Sequence, residues 1–209
     1  MPRVSAAEKE RSHNRIIEEA SRLLRSGGLE TTSVSDVMNS AGLTHGGFYR
    51  HFKSKDELVG AAFHFATQDV TRAMRVAETQ TERLKALDDY INTYLSVEHV
   101  KDLSNGCPLA ALSGEAARTD GAARQSASEA LETTTQLIAR AIGGDKPAAM
   151  SKANTAACLL VGTISLARIA ASDDARDQLL TDAKKAIGVV LGHVLSMAAE
   201  EPTNKANRR

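Results

Sequence analysis

Residues 32–58 read TSVSDVMNSAGLTHGGFYRHFKSKDEL, and this stretch decides the fold. Ser33, with Asp36 three residues later, has the spacing of a capping box and predicts a short helix over about 34–40. Ala41-Gly42 ends that helix, because glycine supplies the backbone freedom that a tight turn needs. The first part of the stretch therefore predicts a short capped helix followed by a turn.

A second short helix follows over about 45–51, with Thr44 as its cap. Ser54 then caps a long helix that begins at Lys55 and reaches about residue 77. Two short helices joined by a turn of three residues are typical of a helix-turn-helix. The predicted inner face of this unit consists of Ile16, Ala20, Leu24, Val34, Val37, Met38, Leu43, Phe48 and Phe52.

The start of the second short helix has the chemistry of a DNA-reading element. A recognition helix contacts base edges in the major groove mainly with its N-terminal residues. Two glycines there remove bulk and let the backbone approach the bases. The residues predicted to face the groove are Thr44, His45, Gly46 and Gly47.

This stretch resembles the TetR family of repressors. The resemblance implies that a hydroxyl at the start of the first short helix grips a phosphate, a position held here by Thr32 or Ser33. It also implies that Tyr49 and His51 touch backbone phosphates and that Lys55 opens the next helix as a further DNA contact. Taken alone, Tyr49 fits a core-edge aromatic and His51 a solvated group.

Charge is distributed in a way that suits such a reading, although the whole chain has a formal net charge of zero. Residues 1–55 hold nine Lys and Arg against six Asp and Glu, while residues 56–209 are net acidic. A modestly basic N-terminal unit suits a surface that meets phosphates. The chain has no apolar run long enough to span a membrane and no leader, so we expect a cytoplasmic protein that does not interact with membranes. Its two cysteines lack metal-ligand spacing, so we expect them to be reduced and the protein to bind no metal or cofactor.

The rest of the chain also reads as helix, so the predicted fold class is all-α. We expect a helix-turn-helix DNA-binding domain over 1–53 and a larger helical domain for ligand sensing and dimerisation over 54–209. Further helices are predicted at roughly 81–100, 108–118, 122–142, 148–171 and 174–199.

The last two predicted helices are rich in small residues and apolar stripes, which favours close packing against another helix. By resemblance, two such helices per subunit form a four-helix homodimer interface, as two-fold-related operator half-sites require. The alternative is that the stripes close the core of the single chain. The predicted interface residues are Leu160, Ile164, Ile187, Val190, Leu191 and Val194.

A pocket for a small lipophilic effector is predicted between these helices and the helix that begins at Lys55, since aromatic and aliphatic walls suit such a ligand. Its candidate lining consists of Phe63, Phe65, Tyr90, Tyr94, Leu109, Leu112 and Leu159.

Cys107 adds a chemically specific alternative, an electrophilic effector. It precedes Pro108, so we expect the thiol at a helix cap, where the helix dipole lowers a thiol's pKa. The segment resembles the Gly-Cys segment of TetR-family members that sense electrophiles. The competing interpretation is that Cys107 is a buried, inert residue that acts as a small apolar group. Cys158, inside an apolar helix, is expected only to pack.

Two other classes of function are a small hydrolase and a helical protein-interaction module. A small hydrolase is disfavoured, because His45-Gly46-Gly47 resembles an esterase oxyanion loop only faintly and no G-x-S-x-G accompanies it. The second is a helical protein-interaction module without operator binding. The sequence thus predicts no enzyme and no catalytic residues. It predicts a transcriptional repressor that binds a palindromic double-stranded operator and is released from it by a small-molecule or electrophilic effector.

Overall fold

The computed structural model describes residues 6–144 and 146–192 of the chain. Within these two ranges the chain forms ten α-helices and one 3₁₀ helix and contains no β-strand, which confirms the predicted all-α class. The helices are α1 (Ala6–Gly27), α2 (Val34–Ser40), the 3₁₀ helix (His45–Arg50), α3 (Lys55–Val70), α4 (Arg72–Val76), α5 (Gln80–Tyr94), α6 (Val97–Lys101), α7 (Pro108–Ala116), α8 (Ala122–Ile142), α9 (Pro147–Ala167) and α10 (Asp173–Leu191).

The N-terminal unit has the predicted helix-turn-helix construction. Ser33 caps α2 by accepting a hydrogen bond from the Asp36 amide, and the Asp36 carboxylate accepts one from the Ser33 amide, so the capping box is present. Gly42 has a φ of +65°, where any other residue would be strained. Residues from α1, α2 and the turn region form the buried core, namely Ile16, Ala20, Leu24, Val37, Met38, Phe48 and Phe52.

The predicted helix over 55–77 is interrupted at Thr71. The Thr67 hydroxyl donates to the Phe63 carbonyl at 2.9 Å, and the Thr71 hydroxyl donates to the Thr67 carbonyl at 2.7 Å. Such hydroxyl bonds compete with the regular backbone ladder and often bend helices. The chain therefore continues as the separate short helix α4.

The predicted helix over 81–100 is also divided, at Leu95. Ser96 then caps α6 by accepting a hydrogen bond from the His99 amide at 3.2 Å. This second break shapes the functional region, because α6 and the loop after it fold back against the end of α5.

Helix α3 joins the two parts of the molecule, since it packs against both α1 and α8. The Asp56 carboxylate near its start accepts hydrogen bonds from the Ala122 amide at 2.9 and 3.0 Å, which anchors the beginning of α8. Helix α8 also packs on α9, and α9 on α10.

Most of the predicted interface residues on α9 and α10 are buried within the single chain and are not available to a second copy. Leu160, Ile164, Ile187 and Leu191 are all at most 1% exposed within the single chain, so they close its own core. Val190 is half-buried, and Val194 lies outside the described residues.

The exposed apolar side chains of this helix pair are different residues. Leu166 on α9 is 54% exposed and Val189 on α10 is 75% exposed. Cys158 on α9 is also exposed, so the expectation that it packs in the interior is wrong. Because apolar residues occur on both faces in the second half of α9, periodicity alone did not distinguish the inner stripe from the outer one.

Candidate DNA-binding surface and effector cavity

The tip of the helix-turn-helix is open to solvent. Thr44, His45 and Gly46 are exposed, and the Tyr49 side chain is 73% exposed. A methyl group added at Gly46 would meet no atom within 4 Å, while one added at Gly47 would make only an ordinary contact with Met38 at 3.5 Å. The fold itself therefore has little need of glycine at these two positions.

The two hydroxyls considered as phosphate ligands differ in accessibility. Thr32 is buried, and its hydroxyl donates to the Leu23 carbonyl at 3.3 Å. Ser33 is exposed, although its hydroxyl also donates to the Asp36 carboxylate at 2.6 Å. Of the two, Ser33 is the residue that a phosphate can approach.

His51 is half-buried under α1, where its ring stacks with His13 at a centroid distance of 5.8 Å. Its Nδ1 atom is buried and has no hydrogen-bond partner. Burial, followed by the nearby charges of His13, Lys9 and Arg50, lowers the pKa of His51. A neutral ring with Nδ1 unprotonated leaves Nε2–H as the available donor.

Lys55 is bound within the chain. Its Nζ atom donates to the Leu29 carbonyl at 2.7 Å, which fixes the start of α3 against the loop after α1. An ammonium group has three donors, so this bond leaves two for another acceptor.

A cavity of about 330 Å³, open to solvent on one side, lies at the end of α5 and is bounded by α6 and the loop that follows it. Its walls include Tyr90, Thr93, Tyr94, His99, Asn105 and Gly106. The volume is at the small end of the range usual for ligand pockets. Two predicted lining residues, Tyr90 and Tyr94, are at this cavity.

The other predicted apolar lining residues lie elsewhere. Phe63 and Leu112 are buried between α1, α3 and α7, and Leu109 is also part of the core. Phe65 is on the outside of α3, 37% exposed, and Leu159 is half-buried on α9. None of these five residues lines the cavity at the end of α5, because apolarity marks burial in general and does not mark a particular pocket.

A histidine holds the cavity wall together. His99 Nδ1 donates to the Tyr94 carbonyl at 2.6 Å, and His99 Nε2 accepts from the Cys107 amide at 3.0 Å. These two bonds require the neutral ring, and burial lowers the pKa of His99 accordingly. A side chain at Gly106 would place its Cβ 2.8 Å from His99 Nε2 and 3.0 Å from the Asp102 carbonyl oxygen, so only glycine fits there.

Cys107 is the residue before α7, as predicted, but its thiol is not activated. The residue is buried, and burial raises the pKa of the Cys107 thiol. The phenol of Tyr94, the amides of Ala110 and Leu109 and the charge of Arg168 act in the opposite direction without outweighing burial. The expected lowering of the thiol pKa is therefore wrong in sign.

The cavity wall is connected directly to α1. The buried Arg25 side chain donates through Nη1 to the Gly106 carbonyl at 2.7 Å and through Nε to the Ser21 carbonyl at 3.0 Å. A second bond joins the same regions, since the Glu115 carboxylate on α7 accepts from the Leu29 amide at 2.6 Å. The end of α1 and the loop after it are thus hydrogen-bonded both to the cavity wall at Gly106 and to α7.

Across residues 6–144 and 146–192 we find no cluster of His, Cys, Asp and Glu suited to a metal ion. Over the same residues, no helix combines the length and apolarity that a membrane crossing requires.

Comparison with known proteins identifies the family. Residues 16–62 match the family of bacterial regulatory proteins named after TetR, and residues 81–187 match the tetracycline-repressor-like C-terminal domain. The second match alone covers more than half of the chain. The chain belongs to the TetR family. This family consists of regulatory proteins and not of enzymes, in agreement with the sequence prediction.

Curated relatives of this TetR-family chain are similar over part of their length. An uncharacterised HTH-type transcriptional regulator of Mycobacterium tuberculosis is 35% identical over 104 residues, which are 49% of this chain and 52% of the relative. The HTH-type transcriptional repressor KstR2 of Mycolicibacterium smegmatis is 29% identical over 86 residues, 40% of this chain and 42% of the relative. The matched part thus spans about half the length of the curated relatives, or less.

Solved structures show the same fold. The reduced form of NemR from E. coli superposes with a TM-score of 0.66 at 17% identity, covering 84% of this chain and 96% of NemR. A TetR-family regulator from Cytophaga hutchinsonii gives a TM-score of 0.67 at 22% identity, covering 92% and 98% of the two chains. At such identities the likeness shows the fold alone.

The TetR-family fold brings together several residues that sequence reasoning missed. His99, Asn105 and Gly106, from α6 and the following loop, line the cavity. Arg25 from α1 donates to the Gly106 carbonyl, and Arg168 at the end of α9 interacts electrostatically with Tyr94 and Asp102. The run Asn105-Gly106-Cys107-Pro108 was the one local signal for this region.

Proposed function

We propose that this TetR-family protein is a DNA-binding transcriptional repressor that binds a palindromic operator as a homodimer. The observation that carries the proposal is the exposed tip of the helix-turn-helix. There Tyr49 is 73% exposed beside two glycines that the fold does not require. An accessible phenol and a bare backbone suit a phosphate contact and a close approach to bases.

The proposed DNA contacts divide by role. Tyr49, Ser33, His51 and Lys55 serve the phosphate backbone, whereas residues 44–47 enter the major groove. The buried position of the Thr32 hydroxyl favours Ser33 as the phosphate ligand at the start of α2.

The experiment that tests these roles measures binding of the purified protein to DNA from the region flanking its gene, by fluorescence anisotropy at fixed salt. We expect Tyr49→Phe to weaken binding to all sequences alike and His45→Ala to change the sequence preference. Wild-type protein that binds no DNA more tightly than random sequence contradicts the proposal and favours a protein-interaction module.

The proposed homodimer uses the outer surfaces of α9 and α10. Leu166 and Val189 are exposed there in the single chain, in contrast to the buried stripe predicted from the sequence. A second copy covering them would bury apolar surface, and two-fold symmetry would place two recognition helices for two half-sites.

The proposed regulator releases DNA when a small molecule enters the cavity. A ligand there meets the loop of residues 102–107, and the bond from Arg25 to the Gly106 carbonyl transmits a shift of this loop to α1. Such a ligand must bind the two states of the protein with free energies that differ by about 1–3 kcal/mol.

An electrophilic effector acting at Cys107 is the second form of this proposal. The thiol is buried beside Tyr94 and next in sequence to Gly106 of the cavity wall, but its burial and its raised pKa favour a ligand that binds reversibly. Cys107→Ser separates the two cases. It should leave operator binding and reversible release intact, and it should abolish release by N-ethylmaleimide if the thiol is the sensor.

A further inference from the structure

The N-terminal half of α1 continues the buried stripe of that helix with basic residues. Ile16, Ala20 and Leu24 form the stripe, and all three are at most 3% exposed. At helical spacing the same face reaches His13 and then Lys9, because residues three and four apart lie above one another on a helix. His13 is half-buried and Lys9 is exposed. The face of α1 that packs on the helix-turn-helix therefore ends in two basic side chains.

His13 packs just beyond the C-terminal end of the 3₁₀ helix. Its ring stacks on Phe52 with a centroid distance of 4.7 Å and an angle of 16° between the planes, and on His51 at 5.8 Å and 28°. Phe52 is itself part of the buried core. The stack with His13 therefore holds the His51 ring in place against α1.

The two nitrogen atoms of the His51 ring differ in access. The Nδ1 atom is buried without a hydrogen-bond partner, whereas Nε2 is not. An external ligand that approaches this ring therefore meets Nε2. In the neutral ring with Nδ1 unprotonated, Nε2 carries the hydrogen and can donate it to an oxygen.

The charges that act on the His51 ring are all positive. After burial, which is the largest cause, the charges of His13, Lys9 and Arg50 lower the pKa of His51. Within residues 6–144 and 146–192, neither Lys9 nor Arg50 forms an ion pair with a carboxylate. An anion bound at this surface would relieve the repulsion among these groups.

This surface lies where a phosphate backbone would run. The six residues of the 3₁₀ helix, His45–Arg50, span about 12 Å. The major groove of DNA is also about 12 Å wide. A helix whose first residues reach the bases therefore carries its last residues to the edge of the groove, where the phosphates are.

We propose that Lys9 binds a DNA backbone phosphate next to the one that meets His51 Nε2, and that His13 positions the His51 ring for that contact. This inference rests on the proposed function, because it adds α1 to the DNA-binding surface of the regulator. Lys9 supplies a compact charge on a flexible stem, which suits phosphate oxygens. His13 acts through its stacking and does not touch DNA. The operator is then held at both ends of the 3₁₀ helix, by base contacts at its start and by phosphate contacts at its end.

The salt dependence of DNA binding tests the role of Lys9. The probe is the tightest-binding labelled duplex from the region that flanks the gene, and anisotropy gives its Kd for the full chain over a series of salt concentrations. Lys9→Gln should weaken binding about tenfold and lower the slope of log Kd against log salt by about 1.8, because each subunit of the dimer loses one phosphate contact. Arg15→Gln is the matched control, since Arg15 is also exposed but lies on the opposite face of α1, and it should leave the slope unchanged.

Two substitutions test the positioning role of His13. His13→Phe keeps an aromatic ring on Phe52 and His51 and should bind the duplex within about twofold of the wild type. His13→Ala removes the stack and should weaken binding about tenfold, with the salt slope unchanged because a neutral His51 releases no counterion. Melting curves show whether the variants are folded. Should His13→Ala fail to fold, His13→Gln, which also lacks a ring, replaces it.

An unchanged salt slope for Lys9→Gln overturns the proposal, and so does an equal loss of slope for Arg15→Gln. His13→Phe that binds as weakly as the variant without a ring overturns the positioning role. In each of these cases the wild type still binds its operator, so the proposed function stands. A wild-type protein that binds no DNA overturns both.

Discussion

Replacing Arg25 with methionine tests the connection between the cavity wall and α1. Methionine keeps most of the apolar stem but removes both hydrogen bonds, the one to the Gly106 carbonyl at 2.7 Å and the one to the Ser21 carbonyl at 3.0 Å. A hydrogen bond from a charged donor contributes about 1.5–3 kcal/mol. The two bonds together would contribute about 3–6 kcal/mol, but water can bond the vacated carbonyl at the cavity wall, and removal of the buried guanidinium relieves the cost of its desolvation. We therefore expect a net loss of about 1.5–2 kcal/mol.

For a chain of this length, such a loss lowers the melting temperature by about 3–8 °C. The assay is thermal unfolding followed by circular dichroism, with all proteins at the same concentration because a dimer's melting temperature depends on it. Arg22→Met is the matched control, since Arg22 is exposed on the same helix and loses the same charge. Equal melting temperatures for the two variants would refute the claim that Arg25 holds α1 to the cavity wall.

A double-mutant cycle extends the test to the transmission of movement. Gly106→Ala pushes a methyl group to 2.8 Å from His99 Nε2 and so displaces the wall without any ligand. We expect Gly106→Ala to change the operator affinity in the wild-type background and to change it much less when Arg25 is methionine, with a coupling energy of about 0.5–3 kcal/mol. Gly114→Ala, at an exposed position with nothing within 4 Å, controls for the added methyl group. Strictly additive effects would show that the wall and α1 are not coupled through Arg25.

Gly46→Ala should leave the melting temperature unchanged, because its methyl group meets nothing in the protein, but should weaken operator binding measured by anisotropy about tenfold; unaltered binding would remove Gly46 from the interface. Leu166→Glu should convert the dimer to a monomer in sedimentation velocity, while Val76→Glu, at another exposed apolar position, should not; two dimeric variants would exclude the outer surface of α9. Because burial lowers the pKa of His99, the folded state binds fewer protons than the unfolded state once the pH falls below the ordinary histidine pKa of 6.5. The free energy of unfolding should therefore decrease as the pH falls below 6.5, and His99→Gln should flatten this dependence in denaturant titrations. An equally steep curve for the variant would contradict the role given to His99.

The helix-turn-helix was predictable because its determinants are local. The capping box of Ser33 and Asp36 and the turn at Gly42 lie within ten residues of each other, and each has one structural meaning. Most helices of the body were also predicted near their observed bounds. The breaks at Thr71 and Leu95 were missed, since nothing in the apolar pattern changes there.

The cavity was less predictable because its walls depend on contacts between distant positions. Arg25 and Gly106 are 81 residues apart, and the neighbours of Arg168 come from α5, α6 and the loop before α7. Tyr90 and Tyr94, chosen from local pattern, do line a cavity, but the same pattern could not separate Phe63, in the core, from Phe65, on the surface. The dimer-interface residues were hard to predict for a similar reason. Leu160 and Leu166 on α9 are equally apolar, but the first is buried and the second is exposed.

We propose that this TetR-family protein recognises a specific palindromic DNA site through the tip of its helix-turn-helix. Selection of bound fragments from the genomic DNA of its own organism by the purified protein at physiological salt, followed by sequencing, tests this recognition. We expect enrichment of a two-fold symmetric site whose half-sites are about one helical turn apart, or a multiple of it, and loss of that enrichment for Gly46→Ala. Fragments without any common symmetric sequence, or the same enrichment for Gly46→Ala as for the wild type, would contradict it.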